Sequence, residues 1–321
     1  MNSSKPIGGF LELEKRDGGF PHSDATLLSS GRACFEYILR TNQPARVHLP
    51  KFTCDVMLEP LRKLNIPFSF YSINTHFELQ EDIAVSDDSL IVFTNYFGLK
   101  DEYCRKLEGK YRSKLILDDS QAFYAEPSSM SHTFYSPRKF FGLPDGGCLY
   151  TDQRLHQEIP ASTSYARMSH LLRRVDLGAE AAYPDFKKNE QSLSGEPIQQ
   201  MSPLTHRLLN SIDYAVVKEK RLRNYSYLRE HLAASNRLPL AEDGISCPMV
   251  YPFLSSDPDL RKKLIDRRVF VPTYWPNVLN WCDESQLEYN LAKNLIPLPI
   301  DQRYGQPDME RILGIINGST N

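Results

Sequence analysis

The 321-residue sequence predicts an α/β fold, a mostly parallel sheet sandwiched by helices, with a smaller C-terminal α+β domain. Three observations carry that expectation. Between residues 28 and 151, short apolar β-prone runs alternate with helical stretches, the strand–helix–strand pattern of a parallel sheet covered on both faces. The composition, 41% hydrophobic and 24% charged, is enough to bury a real core. After about residue 235 the alternation gives way to short, scattered strands and helices.

Residues 31–41 read as the first helix and 46–50 as the first strand after it. Within 53–64, Leu58, Leu61 and Leu64 recur at three-residue spacing and give a helix one apolar stripe. Residues 68–73, 90–94 and 114–117 are compact runs rich in Phe, Ile, Val and Leu and read as buried strands, with a helix over 101–112. Two further strands, over 132–135 and 148–151, extend or flank the sheet. Residues 152–200 are polar and aperiodic; Arg167, Arg173 and Arg174 fall in an expected helix and residues 189–195 in an expected exposed loop. One long helix is expected over 203–234, with Leu204, Leu208, Ile212, Val216 and Val217 along one side. Strands over 249–253 and 269–272 and helices over 258–266 and 307–316 complete the chain. The expected division is a large domain over 1–210, then a long connecting helix and small domain over 211–321. No internal repeat is found.

Thirty-eight Lys and Arg balance 40 Asp and Glu, so the basic field that non-specific nucleic-acid binding requires is missing. No apolar run approaches the ~18–20 residues needed to span a bilayer. Residues 1–9 have no apolar core of a secretory signal, so a cytoplasmic location is expected. The six cysteines are far apart with no C-x-x-C pair, and the eight histidines are equally dispersed. Free thiols in a reducing compartment, and no metal site, are expected.

Three segments combine chemistry with the strand ends where open parallel sheets bind ligands. Ser29-Ser30-Gly31-Arg32-Ala33-Cys34 leads into a helix whose first amides and dipole suit a phosphate, although Ser and Gly are also ordinary capping residues. Leu115-Ile116-Leu117-Asp118-Asp119-Ser120-Gln121 ends an apolar strand in two carboxylates. A buried ionised Asp there needs a cationic partner, such as a protonated ring nitrogen or Mg²⁺; a helix N-cap is the plain alternative. Tyr135-Ser136-Pro137-Arg138-Lys139-Phe140-Phe141-Gly142 sets a lysine among aromatic residues before a glycine turn. If partly buried, that amine could attack a carbonyl; otherwise it is one of a surface basic pair. Together, a phosphate cup, an acid for a ring nitrogen and a Schiff-base lysine are the fixed points of a pyridoxal 5'-phosphate (PLP) site.

On these residues the sequence resembles the sugar-nucleotide aminotransferases of the DegT/StrS group, fold-type I PLP enzymes. Ser30-Gly31-Arg32-Ala33 is similar to that family's Ser/Asn-Gly-Thr-x-Ala phosphate motif, with Arg32 for threonine. Leu49-Pro50-Lys51-Phe52-Thr53 resembles its Val-Pro-x-Phe-Thr stretch, and Leu117-Asp118-Asp119-Ser120-Gln121 its Glu-Asp-Ala-Ala-Gln/His motif. Lys139 with Pro144-Asp145-Gly146-Gly147 resembles its lysine followed by Gly-Glu-Gly-Gly. A weaker likeness continues to Asn294-Leu295-Ile296-Pro297-Leu298-Pro299.

The resemblance implies that Lys139 holds PLP as a Schiff base and shuttles the α-proton. Asp118 would then lie under the pyridine nitrogen, Gln121 near the cofactor's edge, and Ser30, Gly31, Arg32 and Ser136 around the phosphate. It implies a homodimer that moves an amino group from an amino acid to a keto sugar, nucleotide-linked, in surface-polysaccharide biosynthesis. The family's dehydratases carry histidine in place of the lysine, so Lys139 argues against that branch. Four departures stand out. Cys54 occupies the place of a ring-stacking aromatic, and Phe134 that of a serine five residues before the lysine. Glu196-Pro197-Ile198-Gln199-Gln200-Met201 lacks the Asn and basic residue of a Gly-x-Asn-x-Arg/Lys-Met segment, and the chain is short. Arg32 could restore the missing charge within the chain. Tyr274-Trp275-Pro276 could line the entrance or be core. The alternatives are a PLP enzyme for a small amino or keto acid and a non-catalytic relative kept as a binding protein.

Overall fold

The computed structural model describes residues 11–14, 18–240 and 244–318; residues 1–9, read above for a secretory signal, lie outside them. Seven strands form the main sheet: β1 (Thr26–Leu28), β2 (Arg46–Pro50), β3 (Phe68–Tyr71), β4 (Ser89–Thr94), β5 (Leu115–Asp118), β6 (His132–Tyr135) and β7 (Gly147–Tyr150). Their order is β1-β7-β6-β5-β4-β2-β3, and only β7 runs against the rest. Helices α1 (Gly31–Asn42), α2 (Leu58–Lys63) and α3 (Asp101–Tyr111) return the chain between parallel strands, which hairpins cannot do.

Successive strand residues point to opposite faces, and the core divides accordingly. Leu90, Val92, Ile116, Phe134 and Leu149 pack with Phe35, Ile38 and Leu39 of α1 and with Leu61 of α2. Ile91, Phe93, Leu115, Leu117, Tyr135 and Cys148 face a larger cluster that continues into the C-terminal region. A short apolar run was thus a good strand signal because both faces of this sheet are covered.

Beyond the sheet come a hairpin of α4 (Ser169–Leu177) and α5 (Ala179–Ser192), then α6 (Pro203–Asn210) and α7 (Tyr214–Leu232). The C-terminal part holds β8 (Tyr251–Leu254), α8 (Leu260–Asp266), α9 (Val278–Trp281), α10 (Leu287–Asn294), β9 (Leu295–Leu298) and α11 (Gln306–Ile316). Strands β8 and β9 pair antiparallel in a separate sheet, with Pro252 opposite Pro297. A two-stranded sheet is all edge, where residues lacking an N–H are tolerated.

Several expectations need correction. The long helix over 203–234 is two helices: the Asp213 carboxylate accepts the Val216 N–H at 3.1 Å and starts α7 afresh. Val216 is exposed, and the buried stripe of α7 is Val217, Arg221, Asn224, Tyr225, Leu228 and Leu232. The expected loop at 189–195 begins inside α5, where buried Asn189 donates to the Pro144 carbonyl at 2.8 Å. Arg167 precedes α4, in a short 3₁₀ turn. Residues 269–272 form no strand: Val269 and Val271 are buried, but their backbone pairs with no ladder among the described residues. Among the described residues no helix is long and apolar enough to cross a membrane.

Candidate active site

Strands β1, β2, β4, β5 and β6 all end at one rim of the sheet, and reversed β7 begins there. Topology alone therefore brings the three sequence segments together, since each lies just past a strand's C-terminal end.

Ser30 leaves β1 with extended backbone and caps α1, its Oγ accepting the Ala33 N–H at 3.1 Å. Its backbone bridges Gly146, and the following residue fits beneath it only as glycine. A Cβ at Gly147 would stand 2.5 Å from the Ser30 carbonyl oxygen. At Gly31 a Cβ would lie 3.6 Å from that of Ser136 and 3.8 Å from the Phe134 ring. The helix start and the Ser136 turn are thus close neighbours, with helix amides that have no intrahelical acceptor opening beside them. Arg32 Nη1 lies 3.7 Å from Glu59 Oε2, yet it is buried without a hydrogen-bond acceptor among the described residues. Glu59 is itself occupied by the Gly195 N–H and by the Ser194 hydroxyl at 3.2 Å.

Asp118 closes β5 between Thr94 of β4 and Phe134 of β6. It is 6% exposed. Its Oδ1 accepts the Ser120 N–H at 3.0 Å and the Ser120 hydroxyl, and the Thr94 hydroxyl is 3.5 Å from Oδ2. No cation pairs with it among the described residues. Burial, then the charge of Asp101, drives the neighbouring Asp119 carboxyl well above the carboxylate range, and its Oδ1 has no hydrogen-bond partner among the described residues.

Lys139 ends a single 3₁₀ turn, Pro137–Lys139, that follows β6; its N–H donates to the Ser136 carbonyl at 3.0 Å. Of the two settings left open for this lysine, partial burial is not the one found: the side chain is exposed, while Phe140 and Phe141 turn into the core. Its amine makes no hydrogen bond or ion pair among the described residues. The following turn is pinned by fully buried Asp145, which accepts the Ser164 and Thr205 hydroxyls, with Arg167 Nη1 3.6 Å away.

Cys54 lies just past the end of β2. Burial pushes its thiol up, opposed by the Val56 N–H and the Lys139 charge. Burial, followed by the Cys54 charge, pushes the Tyr274 hydroxyl up to about 12. Tyr274 belongs to a C-terminal segment that docks here: Trp275 meets Phe52 edge-to-face at 5.1 Å, and Asn277 donates to the Thr53 carbonyl at 2.9 Å. Within that segment Trp275 is core and Tyr274 is half-buried. Gln121 is buried, and its Oε1 accepts the Phe97 N–H at 2.8 Å, which commits that oxygen to the loop after β4. The segment 196–201 lies along β1, with the Ser29 N–H donating to the Gln199 carbonyl at 2.9 Å.

Two residues escaped the sequence reading. Arg221 and Gln302 both reach the carbonyl of Phe140, next to Lys139. The available signal was an arginine on the apolar stripe of a helix, four residues after Val217 and seven before Leu228. Among the described residues no group of three His, Cys, Asp or Glu side chains could hold a metal.

No protein-family model and no curated protein matches the chain. Solved structures do. A DegT DnrJ EryC1 StrS aminotransferase from Brucella abortus is 15% identical over 92% of this chain and 85% of its own, with a TM-score of 0.60. Spr1654 from Streptococcus pneumoniae, in its PLP form, is 14% identical over 94% and 89%, at 0.65. The sugar aminotransferase CalS13 from Micromonospora echinospora is 12% identical over 94% and 89%, at 0.61. The chain has the fold of these aminotransferase structures, with its sequence motifs gathered on the rim where such a sheet binds ligands.

Proposed function

We propose that this chain is a PLP-dependent aminotransferase that passes an amino group from an amino acid to a keto sugar, nucleotide-linked, in the cytoplasm. One observation carries the reading. At a single rim, and among the described residues, a buried carboxylate lacks a cation (Asp118), a buried guanidinium nitrogen lacks a hydrogen-bond acceptor (Arg32), and an amine lacks a hydrogen-bond or ion-pair partner (Lys139). A ligand with a protonated ring nitrogen, a phosphate and an aldehyde answers all three needs, so the residues fit PLP. The cofactor, when bound, supplies the electron sink. Asp118 would hold a proton on the cofactor's ring nitrogen. Ser30, Gly31, Arg32 and Ser136 would hold the phosphate, and Cys54 and Gln121 would help to hold the rest of the cofactor. Lys139 would carry the covalent attachment, and its amine would serve as the general base that accepts and returns a proton.

The sugar is inferred from the neighbours in fold, among them DesI, solved in the presence of its TDP-sugar product. A homodimer is supported by the α4–α5 hairpin, where Leu172, Val175, Leu177 and Tyr183 are all more than half exposed. We take residues 1–210 as the cofactor-binding unit and 211–321 as the connecting and small unit. The test is borohydride reduction with PLP followed by peptide mapping. Label on Lys139 is expected; label elsewhere, or none, overturns the reading. Addition of glutamate should then convert the bound cofactor to the pyridoxamine form. One observation favours a binding protein instead: the 196–201 segment has no asparagine or basic residue. For that reading the protein stays colourless with added PLP.

A further inference from the structure

Arg221 is the largest fully buried side chain among the described residues, 2% exposed at the middle of α7. No carboxylate lies within ion-pair distance of it among those residues; Asp301, the acid it feels most, is held by Arg303 at 2.7 and 2.8 Å. Its three hydrogen bonds go to neutral oxygens. Nη2 donates to the Phe140 carbonyl at 3.1 Å, Nη1 to the Met249 carbonyl at 3.0 Å and Nε to Gln302 Oε1 at 3.0 Å. Gln302 Nε2 in turn donates to the same Phe140 carbonyl at 2.9 Å, and the guanidinium carbon sits 4.6 Å from the centre of the Phe140 ring.

A buried cation without an anion is a costly way to fill space, and Met or Leu would fill it without that cost. What the guanidinium supplies is direction. Two donors from separate segments fix one carbonyl, and that carbonyl belongs to the residue after Lys139. Among the described residues the Lys139 amine makes no hydrogen bond or ion pair to orient it, so the line along which it leaves the backbone follows the set of this turn.

We infer that Arg221 and Gln302 are positioning residues that aim the Lys139 amine by clamping the Phe140 carbonyl. This rests on the PLP reading above. Three variants of the full chain test it: Arg221→Met, Arg221→Lys and Gln302→Glu. Gln302→Glu keeps an acceptor for Arg221 Nε and removes the donor to Phe140. Its side chain is only partly buried, so it stands in should Arg221→Met fail to fold. Each folded variant is measured for its rate of borohydride-stable PLP incorporation at Lys139 and for its affinity for pyridoxamine phosphate, which forms no bond to lysine.

The expected result is labelling slowed at least tenfold, towards the ~100-fold that a misplacement of about 1 Å can cost, with pyridoxamine phosphate affinity within twofold of wild type. Arg221→Lys, which keeps one donor, should fall between Arg221→Met and wild type. Folded variants that label Lys139 at the wild-type rate overturn the inference and leave the PLP reading standing. Equal losses of labelling and of pyridoxamine phosphate affinity overturn it as well, since they describe general damage. A wild-type chain that takes no label removes the PLP reading, and this inference with it.

Discussion

Gly31 and Ser136 face each other across the rim with room for about one side-chain carbon: such a carbon at position 31 would stand 3.6 Å from the Ser136 Cβ. One begins the first helix and the other begins the lysine turn, so an anion resting on the helix amides also meets the Ser136 hydroxyl. Arg32, whose buried Nη1 has no acceptor, adds charge beside them. Arg32→Ala should therefore weaken PLP binding by tenfold or more, since a hydrogen bond to a charged group is worth about 1.5–3 kcal/mol. Affinity for unphosphorylated pyridoxal should not change. Equilibrium titration with both ligands checks the difference.

Lys139→Ala should abolish borohydride-stable incorporation while leaving the melting temperature almost unmoved. The side chain is exposed and, among the described residues, unpaired, and substitutions of that kind fall within about ±0.5 kcal/mol. Thermal denaturation and intact mass after reduction give the two numbers.

Asp118→Asn preserves shape and removes the negative charge. Loss of one preorganised electrostatic group costs on the order of 10²–10³ in rate, and glutamate-driven conversion to the pyridoxamine form should slow by that much. Stopped-flow absorbance measures it.

Gly147→Ala tests the floor of the site. Its methyl would meet the Ser30 carbonyl oxygen at 2.5 Å and the Cys34 sulfur at 2.7 Å, neither of which is a flexible chain end. Overpacking of this sort costs about 1–3 kcal/mol, and urea denaturation should show a loss of that size.

Asp119 gives a pH dependence of known sign. Burial and the Asp101 charge raise its folded pKa above the unfolded value of about 3.9. Between those two values the folded chain keeps a proton that the unfolded chain releases, so stability contributed here falls as pH rises above about 4. Asp119→Asn should remove that decline. Its advantage over wild type, measured by urea midpoints, should be absent near pH 3 and grow towards pH 8.

The parallel layer was legible because each of its inner strands is a dense apolar run covered on both faces, as in Leu90, Ile91, Val92 and Phe93. Strand β1 was not, for Thr26, Leu27 and Leu28 are three residues at an edge and carry no period. Nor was the break before α7 legible. Ser211, Ile212 and Asp213 include neither proline nor glycine, and only the carboxylate's hydrogen bond to Val216 ends one helix and starts another. Residues 269–272 have strand composition without a strand, because a ladder needs a partner that local sequence does not specify. At the site, residue types and order located Ser30, Asp118 and Lys139 on one rim. The sequence could not reveal that Gln121 spends its oxygen on Phe97, that Lys139 turns outward, or that Arg221 grips the next carbonyl. Those facts depend on contacts between segments far apart in the chain.

Reversed strand β7 enters from the ligand rim and leaves at Tyr150 on the far side of the sheet, where Asp152, Gln153 and Arg154 are exposed. A fluorophore or biotin grafted at Asp152 would sit behind the molecule, away from every titration described above. That stretch offers a neutral handle for tethering the protein while its opposite edge is left open to small molecules.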